Sequence, residues 1–141
     1  MPERPLIRVF LDSNILYSAT HDVQSDFLAI WQFRDTTPIV SQYVLDEVSR
    51  NIRSSQQRQH FERLLEQTEI ISDADMRIVP ATVSLVAKDR PILAAAINAR
   101  ADYLVTGDMN HFGDLYDTSI ANVRIMKPRP FLLLHKNRLK R

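Results

Sequence analysis

The sequence predicts an α/β fold, a three-layer sandwich around a central, mostly parallel sheet. Three observations carry this reading. Short β-branched and aromatic runs recur along the chain, starting with IRVFL at Ile7 to Leu11. Stretches with apolar residues at helical spacing lie between them. Strand and helix therefore alternate, and that order favours parallel strands joined by helical crossovers.

Taken in order, Ile7 to Leu11 reads as a buried strand, and a helical stretch follows from about Ser25 to Phe33. Pro38-Ile39-Val40 reads as a second strand, closed by Ser41, a good N-cap for a helix from Gln42 to about Arg53. In that helix Val44, Leu45, Val48 and Ile52 share one face. Residues from about Gln56 to Gln67 form a charge-laced helix with Phe61, Leu64 and Leu65 as its apolar stripe. Ile70-Ile71 and Ile78-Val79 read as strand fragments, with loop from Asp73 to Arg77 between them. After Asp89, Arg90 and Pro91, the run ILAAAIN is a helix apolar on most sides, hence buried. Tyr103 to Thr106 (YLVT) and Val123 to Met126 (VRIM) are further strands, and Pro128 and Pro130 precede a last short segment, FLLL.

The length, 141 residues, fits one domain spanning residues 1–141, with a basic tail from about residue 135. Net charge is +1, and the basic residues Lys136, Arg138, Lys140 and Arg141 crowd the C-terminus. The chain has no cysteine, which removes disulfides, thiol nucleophiles and thiolate metal sites. Its first residues, Met-Pro-Glu-Arg-Pro, lead into an apolar run too brief for a signal peptide, and no stretch is long enough to span a bilayer. A cytoplasmic protein without membrane contact is expected. There are 2 glycines, Gly107 and Gly113, so a glycine-rich phosphate loop is excluded.

Open α/β sheets bind ligands outside the carboxyl ends of their strands. IRVFL runs into Asp12 and YLVT into Gly107-Asp108, while Glu47 rides on the helix after Ile39 and Asp89 opens the buried helix before YLVT. Converging carboxylates repel, and some take up protons unless a cation neutralises them. Oxygen ligands without cysteine or paired histidines favour Mg²⁺ or Mn²⁺ over zinc. Such ions activate water for in-line hydrolysis of a phosphodiester.

The segments VFLDSNILYSA, SQYVLDEV, KDRPILAAAINARADYLVTGD and RIMKPRPFL resemble the PIN-domain family, especially its small stand-alone members related to VapC toxins. The resemblance spans nearly the whole chain and is most specific from Asp89 to Asp108. It implies a PIN-like fold and a Mg²⁺- or Mn²⁺-dependent endoribonuclease. It also implies frequent homodimers and often an antitoxin protein as partner, so that the chain would be the toxin of a type II pair. By the same resemblance, Asp12, Glu47, Asp89 and Asp108 are the catalytic and metal-binding acids. Asn14 orients that site, and Thr106 supports the metal-bound water or a ligand. Two departures stand out. Some members carry a further acid where this chain has Asn110 and His111, with Asp114 the nearest acid, so a second metal is weakly held or absent. Extra charged helix from about Ser55 to Glu69 replaces or extends binding helices.

Each acid also has a structural reading. Asp12 is equally a helix N-cap, Asp89 a helix start before Pro91, and Asp108 a turn residue. Glu47 competes with Asp46, which points further from the Val44/Val48/Ile52 stripe. His111 is taken as an exposed loop histidine and left out of catalysis. Tyr17 and Trp31 are core or interface residues, or stack a base. Arg50, Arg53, Arg58 and Arg63 track a phosphate backbone or form a solvated face. The basic tail divides in the same way between RNA contact and simple disorder. Two rival functions remain in view. One is a catalytically weak or inactive PIN-like module that binds RNA or protein. The other, ranked low, is a phosphatase built on Asp12-Ser13-Asn14, for which no matching lysine follows a later strand.

Overall fold

The computed structural model of the protein describes residues 6–139, the side chains of residues 109 and 110 excepted. The opening Met-Pro-Glu-Arg-Pro and the tail residues Lys140 and Arg141 lie outside the described residues. Six strands build one sheet: β1 (Ile7–Leu11), β2 (Thr36–Ser41), β3 (Glu69–Ile71), β4 (Tyr103–Val105), β5 (Ser119–Ile120) and β6 (Val123–Met126). Their order is β3-β2-β1-β4-β6-β5, and every pairing is parallel except that of β5 with β6. The helices are α1 (Ser13–His21), α2 (Gln42–Arg50), α3 (Ser55–Glu66), α4 (Arg90–Asn98), α5 (Met109–Phe112) and α6 (Pro128–Leu134).

The alternation expected from the sequence is present, an α/β fold with a mostly parallel sheet flanked by helices. Its central strands are the most apolar because both faces are covered. Val9, Phe10, Leu11, Ile39, Leu104, Val105 and Ile125 have no exposed surface. Leu93 to Ala96 of α4 are likewise sealed, which explains why that helix is apolar on most sides. The chain leaves β1 toward β2 and β3, then returns across the sheet to β4 on the other side of β1. With right-handed crossovers the two excursions cover opposite faces. The reversal lies between β1 and β4, where Leu11 pairs with Val105.

Several expectations change. The helical stretch near Ser25 is a 3-10 helix, Asp26–Gln32, capped by the Ser25 hydroxyl, and α1 precedes it without having been delimited. Ile78-Val79 is no strand: Met76–Ile78 forms a 3-10 turn after an Asp75 cap. Both are too short to show a helical period. α2 stops at Arg50 rather than Arg53. The FLLL segment belongs to α6, whose prolines sit in the first turn, where a missing N–H costs no intrahelical bond. Trp31 is partly buried and donates from its indole to the Thr68 hydroxyl at 2.9 Å.

The C-terminal segment is docked as far as Leu139. Arg34 N–H donates to the Arg138 carbonyl at 2.6 Å, and Phe33 and Leu139 form an isolated antiparallel bridge. His135 is 7% exposed among Phe33, Tyr103 and Phe131, with ring centroids 6.3, 5.1 and 4.6 Å away. Its Nε2 is buried without a hydrogen-bond partner among the described residues. Burial, helped by Arg138, pushes the His135 pKa below its usual 6.5. The unfolded chain therefore binds this proton more readily, and the contribution of neutral His135 is lost as pH falls below about 6.5. His135→Leu should melt progressively higher relative to the native chain as pH drops from 7.5 to 5. Thermal unfolding followed by circular dichroism checks this, and a pH-independent difference would contradict it.

Candidate active site

Parallel register brings the two switch-point strands level, so the residues just past them meet. Asp12 follows β1 and its backbone N–H donates to the Val105 carbonyl at 3.1 Å. Thr106, Gly107 and Asp108 follow β4 on the adjacent strand. Asp12 caps α1: its Oδ1 accepts from Ser13 N–H at 2.7 Å, so the capping reading holds for this residue. The other oxygen, Oδ2, accepts from the Thr106 hydroxyl at 2.7 Å and from Asn14 Nδ2 at 3.3 Å. Asn14 Oδ1 accepts from Gly107 N–H at 2.9 Å. One asparagine thus ties the start of α1 to the end of β4.

Thr106 is fully buried and serves as a hub. Its hydroxyl donates to Asp12 and accepts from Asp108 N–H at 3.1 Å, and its carbonyl accepts from the Tyr116 hydroxyl at 2.9 Å. Burial, with Asp108 and Asp12 nearby, pushes the Tyr116 pKa up to about 12, so it remains a donor. Glu47 lies across from Asp12 on α2. The Ser13 hydroxyl lies 3.2 Å from Glu47 Oε1 and 3.3 Å from Asp12 Oδ1, so its single proton is shared between two carboxylates. Asp46 is exposed and accepts from Gln42 at 2.9 Å, one helical turn away.

Asp89 is 5% exposed and immediately precedes α4, without a side-chain cap bond to that helix. His111 Nδ1 lies 2.5 Å from Asp89 Oδ2 and 2.7 Å from Asp108 Oδ2. Asp108 Oδ1 accepts from His111 N–H at 3.1 Å, closing the turn that starts α5. The histidine expected to be an exposed loop residue is therefore partly buried between two of the acids. The signal for it was local: His111 sits three residues after Asp108, one turn away if a helix starts there.

All four acids are connected, Glu47 to Asp12 through Ser13, Asp12 to the Asp108 backbone through Thr106, and Asp108 to Asp89 through His111. Burial raises the Asp12 pKa above its usual 3.8 despite the Thr106 and Ser13 bonds, and the charge of Asp89 adds to the rise. Burial also raises the Asp89 pKa, with His111 opposing and Asp108 reinforcing. Asp89 Oδ2 is a buried atom without a hydrogen-bond partner among the described residues. Asp89, Asp108 and His111 each offer a ligand atom, all within 4.8 Å of one another. Buried, mutually repelling carboxylates with an orphaned oxygen fit a divalent cation.

Beside the acids, Ser13, Asn14, Tyr17, Glu47, Val48 and Asn51 line an open cleft of about 370 Å³. Tyr17 is half-buried there and stacks on His21 with ring centroids 5.7 Å apart. Among the arginines, Arg50, Arg53 and Arg63 are exposed. Arg58 instead donates to the Ser49 hydroxyl at 3.1 Å and covers the Phe61 ring.

A family model described as PIN domain matches residues 8–110. Among solved structures, the chain is similar to the crystal structure of VapBC2 from Rickettsia felis bound to a DNA fragment from their promoter. The match has 20% sequence identity and a TM-score of 0.60, covering 86% of this chain and 98% of that one. No curated protein sequence matches the chain.

Proposed function

The chain belongs to the PIN domain family, and from that premise we propose that it is a Mg²⁺- or Mn²⁺-dependent endoribonuclease acting through Asp12, Glu47, Asp89 and Asp108. One observation carries the reading: two carboxylates, Asp12 and Asp89, are buried with their pKa values raised, and Asp89 Oδ2, crowded by His111 Nδ1, has no hydrogen bond of acceptable geometry among the described residues. Such an arrangement is unfavourable in an isolated chain and becomes favourable when a cation enters. A divalent ion, when bound, supplies charge neutralisation and activated water for in-line attack on a phosphodiester.

The residues around it have separate tasks. Thr106 and Asn14 fix Asp12 Oδ2, and Ser13 holds Asp12 and Glu47 in register. The cleft lined by Tyr17 and Asn51 gives a single strand of RNA room beside the acids, with a tyrosine face available for stacking. The whole chain acts as one such domain, the toxin of a type II pair, with a homodimeric state and an antitoxin protein as partner. Cleavage takes place in the cytoplasm.

Total RNA incubated with the protein should be cut in Mg²⁺ or Mn²⁺ and left intact in EDTA. Ion binding should also stabilise the fold, by about 2.7 kcal/mol at an ion concentration 100 times Kd. No cleavage with either ion would overturn the nuclease reading. If Mn²⁺ still raised the melting temperature, the binding-module reading would replace it, in keeping with Asn110 standing where some family members carry a further acid. No helix among the described residues is long and apolar enough to cross a membrane.

A further inference from the structure

We propose that His111 is a direct ligand of the divalent ion, beside Asp89 and Asp108, and that its nitrogen tilts the site toward Mn²⁺ and other transition ions over Mg²⁺. This rests on the metal-dependent reading above and adds the donor that sets ion preference.

The geometry is that of three ligand atoms aimed at one region. Nδ1 of His111 lies 2.5 Å from one carboxylate and 2.7 Å from the other, and all three ligand atoms fall within 4.8 Å. Yet among the described residues neither Nδ1 nor Asp89 Oδ2, both buried, makes a hydrogen bond of acceptable geometry, although the two atoms sit at ion-pair distance. A structural ion pair at such a distance is expected to align donor and lone pair, since an unsatisfied buried polar atom is costly. Atoms that crowd without hydrogen bonding are placed instead for a shared cation.

The backbone holds this arrangement in advance. Asp108 spends Oδ1 on the N–H of His111, which turns its Oδ2 to the imidazole. Phe112, the next residue, has no exposed surface and anchors α5, fixing the direction of the ring. Asp89 is held by its position between a 3-10 turn and α4.

A nitrogen donor changes the ion preference. Mg²⁺ favours oxygen ligands and retains waters, whereas imidazole suits first-row transition ions, whose affinities rise from Mn²⁺ through Co²⁺. Loss of an outer-shell partner costs about 10–100-fold in metal affinity, and loss of a direct nitrogen ligand should cost transition ions at least as much.

Calorimetric titration of the full chain with MnCl₂, CoCl₂ and MgCl₂ tests this, with the visible spectrum of the Co²⁺ form as a second readout. The native chain should bind Mn²⁺ and Co²⁺ more tightly than Mg²⁺. His111→Ala and His111→Gln should lose at least about 10-fold for Mn²⁺ and Co²⁺, change little for Mg²⁺, and shift the Co²⁺ absorption bands. Tighter binding of all three ions by the variants would overturn the proposal, because the imidazole would then occupy the ion's place. An equal loss for all three would also overturn it, leaving His111 as a support for the acids. Asp89→Asn in the same titration separates the two levels. If it weakens every ion while the His111 variants keep the native preference, only this inference fails. If the native chain binds no ion, the metal-dependent function fails with it.

Discussion

Asp12→Asn should abolish Mn²⁺-dependent RNA cleavage, a loss of at least about 100-fold, while the protein stays folded. The substitution removes charge from the buried end of β1 and keeps the shape. Asparagine is as good an N-cap as aspartate, so the 2.7 Å bond from Ser13 N–H to Oδ1 survives. The other side changes more. Asp12 Oδ2 receives donors from Thr106 and Asn14, and an amide NH₂ in its place cannot accept either. The Thr106 hydroxyl must turn, and Asn14 loses one contact but keeps its acceptor role to Gly107. Against that local cost stands the removal of a buried charge, so the net change in stability should be small. Asp108→Asn should give the same loss of activity, and it retains Oδ1 for the turn that begins α5. Gel assays on RNA with matched circular dichroism spectra decide the matter; unchanged cleavage by both variants would sink the assignment.

Asp89→Asn should also eliminate cleavage, but it should make the metal-free protein more stable at neutral pH. The native carboxylate is buried and close to Asp108, and its pKa stands above 3.8. A raised carboxylate pKa means that the folded state binds the proton more tightly than the unfolded state. Stability attached to Asp89 is therefore complete below about pH 4 and falls as pH rises through the raised value. An asparagine does not titrate, so the advantage of the variant should vanish near pH 4 and be greatest at pH 7. A gain of about 1 kcal/mol would raise the melting temperature by roughly 3 °C in a domain of this size. Mn²⁺ should reverse the order, stabilising the native chain and leaving the variant unmoved. Equal melting temperatures at pH 7 without metal would show that Asp89 carries no stored electrostatic cost.

Much of the fold could be read from the chain because its central elements have strong periods. The spans of β1 and β6 and the sealed character of α4 follow from apolar runs that only a buried position tolerates. Weak or absent periods explain the omissions. A 3-10 turn such as Met76–Ile78 has no 3.6-residue repeat, and a two-residue strand such as β5 has no alternation to detect. The hairpin between β5 and β6 turns through Ala121 and Asn122, both with positive φ, at 49° and 70°. Glycine would have announced that turn, and this sequence does not place one there.

The site divides along a similar line. Asp12 and Asp108 could be singled out because strand runs end on them, Asp89 because it opens the buried helix, whereas Glu47 rested mostly on the family resemblance. The preference for Glu47 over Asp46 rested on helical spacing, and the structure places Glu47 toward Ser13 and Asp46 toward solvent. His111 was passed over because its three-residue spacing from Asp108 counts only if a helix starts there, and the four residues of α5 are too few to show a helical period. Only α5 and the cap from Asp108 turn it inward.

By itself, then, the sequence determined the alternation of elements and which residue types stand at the carboxyl ends of the strands. Local propensity and apolar patterning act over a few residues, and those properties are local. The tertiary structure decided which atoms meet: that Thr106 reaches Asp12 from 94 positions away, that Ser13 serves two carboxylates, and that an imidazole stands between Asp89 and Asp108. Such meetings depend on strand register and on the crossovers around the switch point. Those are set by the packing of the whole core, which no short window of sequence contains.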